Sequence, residues 1–203
     1  MVRILVIIGI LVSTTAMAQV KGIRGIPLDQ RPFPACETLQ RFGGIPKTNG
    51  LYHGSMPLTE RDFQCLKAMK IKTIVSLELR VIQKKSEAQL AAKYGITFLE
   101  IPMQPSPIPP LNSTAAKALS VIADQSLWPL YFHCYLGRDR TMLMVGLYET
   151  KYLGKTPNEA WADMLSFGFS TKAHLWGLQH FYWDNAEDRA EAGVQQNTPE
   201  IAP

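Results

Sequence analysis

Apolar residues fall in short blocks along the chain, and the spacing inside each block names an element. Gly50 to Met56 and Lys72 to Leu77 are strand-length runs, the second rich in β-branched residues. Ile96 to Ile101 and Pro129 to His133 complete a set of four. Between them the apolar positions take a helical period. Thr59 predicts a cap for a helix over Glu60 to Lys70, with Phe63, Leu66 and Met69 on one face. Ser86 to Tyr94 reads as a second helix, stopped by Gly95. Asn112 or Ser113 predicts the cap of a third, running to about Asp124. Thr141 to Tyr152 reads as an apolar helix. Thr156-Pro157-Asn158-Glu159 has the form of a capping box with proline at the first position, opening a helix through Trp161, Met164 and Leu165. A last helix from about Thr171 carries Leu175, Leu178 and Phe181. Residues 102–110 hold five prolines and predict a stiff loop. Strands alternating with helices predict an α/β fold: a central, mostly parallel sheet of four to five strands flanked by helices. In such sheets ligands bind at the carboxyl ends of the strands.

The two ends of the chain depart from this pattern. Arg3 precedes an apolar run from Ile4 to Val12, and Ala16-Met17-Ala18 has the small-x-small form of a cleavage site. That run is far short of the roughly 20 residues a spanning helix needs, so residues 1–18 read as a signal peptide cut after Ala18. The expected location is secreted or periplasmic, with no membrane anchor. Residues 19–49 are rich in Pro, Gly and Arg and read as an extended arm, packed on the domain by Phe33 and Leu39. Residues 50–190 are the expected catalytic domain and 191–203 a flexible tail. Lys plus Arg number 21 against 17 for Asp plus Glu, a net charge of +4. So small and scattered an excess suits an anionic small ligand, and no nucleic-acid partner is expected. Three cysteines are too few for a disulfide-built scaffold, and none has zinc-finger spacing. No metal or cofactor is expected, and the chain is expected to be a monomer. Cys36 and Cys65 either pair, tying the arm to the first helix, or Cys65 stays a buried free thiol.

The chemistry is concentrated in His133-Cys134-Tyr135-Leu136-Gly137-Arg138-Asp139-Arg140-Thr141, between a strand and a helix. The amides of such a loop can curl around one anion, and the helix that follows aims its positive end at the same point. Gly137 permits the turn. Arg140 can lay a planar guanidinium on two phosphate oxygens. A thiol at the mouth of that nest is favoured as thiolate. The loop thus holds a tetrahedral anion over a sulfur nucleophile, an arrangement for phosphoryl transfer to Cys134.

This segment resembles the signature loop of the protein-tyrosine-phosphatase superfamily, in its small dual-specificity and phytase-like branch. The stretch from Leu51 to Arg80 is similar to the opening strand-helix-strand of bacterial and of plant and fungal atypical dual-specificity phosphatases, and the likeness spans about Gly50 to Phe169. The resemblance implies Cys134 as nucleophile and Arg140 as phosphate clamp. It implies that His133 holds the loop and that Thr141 donates to the sulfur as it leaves. Tyr135, Leu136, Gly137 and Arg138 would line the phosphate. Most of the superfamily brings a general-acid Asp from a loop after the preceding strand, yet residues 103–113 contain neither Asp nor Glu. Asp139 is the candidate acid, by similarity to myotubularin-type lipid phosphatases. Its alternative role is to steady the loop. Glu100 is a more distant candidate.

Arg138 and Arg80 would add cations at the rim, as would Lys84 and Lys85 if they are more than a solvated helix start. Extra cations place a phosphorylated small molecule, an inositol polyphosphate, first among expected substrates. Phosphotyrosine or phosphoserine proteins come second. A phosphate-binding module without turnover is the third reading.

Overall fold

The computed structural model describes residues 38–79, 81–104, 108–172, 174 and 176–186, with the backbone alone of 81–84. The leader, most of the arm, Phe33, Cys36, Arg80, Leu175 and the tail fall outside the described residues. The elements are β1 (Gly43–Gly44), β2 (Leu51–Ser55), α1 (Glu60–Ala68), β3 (Thr73–Ser76), α2 (Val81–Lys93) and β4 (Thr97–Glu100). They continue with α3 (Asn112–Ala123), a 3-10 turn (Gln125–Leu127), β5 (Leu130–Cys134), α4 (Arg140–Leu153), α5 (Pro157–Ser166) and α6 (Trp176–Asn185).

The sheet runs β1-β2-β5-β3-β4. β5 lies between β2 and β3 and parallel to both, and β4 is parallel to β3. Among the described strands β1 alone is antiparallel. The strand that ends in Cys134 is therefore the middle of the sheet. Alternation along it decides what each residue meets. Tyr131 and Ile74 join Phe63 and Leu66 of α1 and Ala91 of α2 in one core. Phe132, Cys134 and Val75 join a second core built from α3 to α6. α4 is buried over Thr141 to Thr150, so the helix that starts at the loop is the spine of that second layer.

The predicted cap at Thr59 forms, and the structure completes it as a capping box with Asp62; the predicted capping box of Thr156 with Glu159 forms, and Pro157 opens α5. Four expectations need correction, the first being the start of the last helix, which opens at Trp176 and not about Thr171, residues 171 and 172 being non-helical. α3 is capped at Leu111 without a side-chain bond, so neither Asn112 nor Ser113 is its cap. α2 begins at Val81, five residues before Ser86. The arm is not wholly irregular, because Gly43 and Gly44 pair with His53 and Tyr52 and add an edge strand. Leu39 is buried, as its apolar side chain predicts. Among the described residues no helix is long and apolar enough to cross a membrane.

Candidate active site

The turn from β5 to α4 is held from outside. His133 Nδ1 lies 3.1 Å from the Cys134 carbonyl oxygen. Met56 N donates to the Tyr135 carbonyl at 3.1 Å, and Arg41 Nη1 to that of Leu136 at 3.0 Å. In a trans peptide the carbonyl and the next N–H point in opposite directions. Pinning these successive carbonyls outward turns the N–H groups of Tyr135, Leu136 and Gly137 inward, which is the geometry of an anion nest. Gly137 completes the turn at φ 67°. The loop also presses on the end of β2: a Cβ at Gly137 would stand 2.3 Å from the Gly54 carbonyl carbon.

Cys134 is buried at the strand end and is the free cysteine among the described residues. Its amide donates to Thr141 Oγ1 at 2.7 Å. As an acceptor there, the Thr141 hydroxyl keeps its own proton for the sulfur. Cys65 is disulfide-bonded, which decides between the two readings of that residue.

Arg140 opens α4 and reaches across to β3. Its Nη1 donates to the carbonyls of Leu77 (3.0 Å) and Met103 (3.3 Å), and its Nη2 to Glu78 Oε2 at 3.0 Å. Among the described residues Nε and one N–H of Nη2 have no protein partner, and these two nitrogens share an edge of the guanidinium. That edge is the one able to clamp two oxygens of a phosphate. Glu78 is almost wholly buried against Arg140. Sequence reasoning missed it, although an acid just past a strand beside the catalytic one was the available signal.

Asp139 is committed within the loop. Its carboxylate accepts from Arg138 Nε at 3.1 and 3.0 Å, from Arg138 Nη2 at 3.0 Å and from Ser170 N at 3.3 Å. The pair ties the loop to the segment after α5, and Arg138 is paired rather than a spare cation. Glu100 ends β4 at the sheet edge, in register with Ser76. Lys85 is exposed on α2. Arg80 and the Lys84 side chain lie outside the described residues. Three exposed leucines follow the elements that end here: Leu58 after β2, Leu79 after β3 and Leu136 in the loop itself.

His133 is fully buried, and its Nε2 lies 2.6 Å from Glu87 Oε1 of α2, itself fully buried. Neither Glu87 nor Arg41 was singled out in the sequence, because their partners are remote along the chain.

The sequence profile of the tyrosine phosphatase family matches residues 38–151, more than half of the chain. Among curated proteins none matches it in sequence. Solved structures do. The core catalytic domain of the PP-IP phosphatase SIW14 from S. cerevisiae, in complex with citrate, superposes with a TM-score of 0.63 at 18% identity over 76% of this chain and 90% of that one. A putative phosphatase from Shewanella putrefaciens gives 0.59 at 18% identity over 72% and 88%. P. aeruginosa TpbA in complex with phosphotyrosine, as a cysteine-to-serine variant, gives 0.54 at 17% identity over 70% and 85%. At these identities the likeness is one of fold.

Proposed function

We propose that this chain, which belongs to the tyrosine phosphatase family, removes phosphoryl groups through a phosphocysteine intermediate. The observation that carries the reading is the pairing of Arg140's open Nε–Nη2 edge with a loop whose amides turn inward above Cys134. The Cys134 thiolate attacks phosphorus as the bond to the leaving oxygen breaks, and that oxygen takes a proton. Water then attacks phosphorus, the P–S bond breaks, phosphate leaves and the thiolate returns. The inward amides and Arg140 stabilise the equatorial oxygens in both steps.

The proton is the weak point of this site. Asp139 is held by Arg138 and Ser170, which favours its role as a brace. Substrates whose leaving group needs little protonation therefore suit it best. The terminal phosphoryl of a pyrophosphate on an inositol ring meets that demand, since a phosphate departs. Inositol polyphosphates, pyrophosphorylated ones above all, are the substrates we propose. Phosphotyrosine is the second reading, favoured by the exposed leucines of the loop and of the segments after β2 and β3, Leu136, Leu58 and Leu79, which offer apolar surface to an aromatic ring. In the same proposal the chain is exported after cleavage at Ala18, and the disulfide at Cys65 supports an oxidising compartment.

Phosphate release is to be measured from inositol pyrophosphates, simple inositol phosphates and phosphotyrosine peptides at matched concentration. Cys134→Ser should abolish release from every substrate and from 4-nitrophenyl phosphate, while inorganic phosphate still binds by calorimetry. Residual turnover in a clean preparation removes Cys134 as nucleophile. A preference for phosphotyrosine peptides reverses the order of substrates.

A further inference from the structure

The Leu136 carbonyl is held by a guanidinium, and that guanidinium comes from just ahead of β1. Arg41 lies there at φ 50°, in the left-handed region that favours glycine. Its turn is clamped in that conformation. Gln40 N donates to Ser55 Oγ at 2.9 Å, and Ser55 N donates to the Gln40 carbonyl at 2.9 Å. The buried His53 ring makes a hydrogen bond with the Arg41 backbone. Ser55 ends β2 in register with Cys134, so the turn is fixed to the strand end beside the nucleophile. A bulky residue kept in a disfavoured conformation by its surroundings points to work for its side chain. From that turn Arg41 Nη1 reaches the Leu136 carbonyl at 3.0 Å, 95 positions along the chain.

Charge singles Arg41 out as well. The loop's own two arginines are each matched by a carboxylate at 3.0 Å, Arg138 by Asp139 and Arg140 by Glu78. Among the described residues Arg41 has no carboxylate partner. Its Nη1 donates to Leu136 and, at 3.4 Å, to the Gln40 side-chain oxygen. A cradle that holds an anion over a thiolate needs positive charge that is not already matched. We infer that Arg41 is a positioning residue for the phosphate cradle and its unmatched positive charge: it holds the Leu136 carbonyl outward and strengthens the Gly137 N–H, at the other end of that peptide, as a donor to the phosphoryl oxygens. The inference rests on the cysteine-phosphatase reading and brings the stretch ahead of β1 into its site. Carbonyl and N–H belong to one planar unit. A cation on the oxygen draws electron density from the nitrogen, and its hydrogen becomes a better donor.

The test uses the Cys134→Ser chain and inorganic phosphate as probe, with affinity read by calorimetry. Lysine and methionine are unbranched at Cβ, as arginine is, so neither changes the demand on the turn. Arg41→Met loses the charge and the hydrogen bond, and at low salt it should weaken phosphate binding roughly tenfold. Arg41→Lys keeps the charge and a donor, and should stay within about threefold of the parent. Salt separates a charge from a mere prop. In about 1 M salt, where exposed charges act over only about 3 Å, the deficit of Arg41→Met should shrink to about threefold or less. Three results overturn the inference: an Arg41→Met affinity within about twofold of the parent at low salt, a deficit that salt leaves unchanged, or an Arg41→Lys as weak as Arg41→Met. Should Arg41→Met fail to fold, Arg41→Gln, neutral and polar, is read in the same way. A Cys134→Ser chain that binds no phosphate removes the cradle, and this inference with it. If the parent binds phosphate but never turns over, the phosphatase reading fails while this test still reads the cradle.

Discussion

Arg140 shows how much one side chain can be asked to do. It spends one edge on Leu77, Met103 and Glu78, and that fixed edge aims the other at the ligand. Lysine keeps the charge and loses both edges. Arg140→Lys should therefore lower kcat/KM on 4-nitrophenyl phosphate by about a hundredfold or more. A variant within a few fold of the parent makes Arg140 a structural tie between α4 and β3. Asp139 is the converse case, a residue whose sequence position suggests acid chemistry and whose bonds suggest support. If it braces the loop, Asp139→Asn should depress aryl and alkyl phosphate hydrolysis by the same factor. If it donates the proton, the alkyl activity should fall further by roughly a hundred- to ten-thousand-fold, because an alkoxide needs that proton and a nitrophenolate does not. The ratio of the two effects separates the roles.

At the scale of elements, the loop works because it is clamped between the ends of β2 and α4. Gly137 is the contact point. At φ 67° a side chain is strained whatever the space, and here the space is already filled by Gly54 and Ser55 backbone. Gly137→Ala should push the loop off β2 and abolish phosphate binding in calorimetry, with helix content by circular dichroism unchanged. Retained binding would mean the loop tolerates a shift that the geometry denies it. The nine-residue motif around Cys134 was legible because it is contiguous and sits where a strand gives way to a helix. The cap at Thr59 and the capping box at Thr156 were legible for the same reason, since each motif lies within four residues. What brings Glu78, Glu87 and Arg41 to the loop is sheet order, and no local pattern carries that. β1 was hidden too. Two glycines have no strand preference of their own, and they pair because β2 offers an edge. α2 starts at Val81, before Ser86, and Val81 to Lys85 carry no Ser, Thr, Asp or Asn that would mark its start in the sequence.

The whole molecule is joined through β2 and β5, and one buried histidine near their middle makes its stability depend on acid. His53 meets Phe132 of β5 at 6.0 Å and, edge to face, Phe167 after α5 at 4.8 Å. Burial in this apolar setting lowers its pKa from 6.5 to about 3, against the smaller opposing effect of its hydrogen bond with the Arg41 backbone. The unfolded chain takes up a proton at this ring below pH 6.5, and the native chain does not until about pH 3. Acid therefore favours the unfolded state across that window, and above it the effect vanishes. At about 1.4 kcal/mol per pH unit, His53 alone should remove about 2 kcal/mol between neutrality and pH 5. Glu149 works in the opposite sense, because burial raises its carboxyl pKa and the native chain then holds that proton more firmly than the unfolded one. A single stability curve mixes the two. The difference between the parent and His53→Gln isolates the ring, and it should be read from urea midpoints at pH 5 and pH 8. The variant's loss on acidification should be smaller than the parent's by about 2 kcal/mol. Equal losses would mean the native fold opens to protonate His53 locally, without unfolding around β2 and β5.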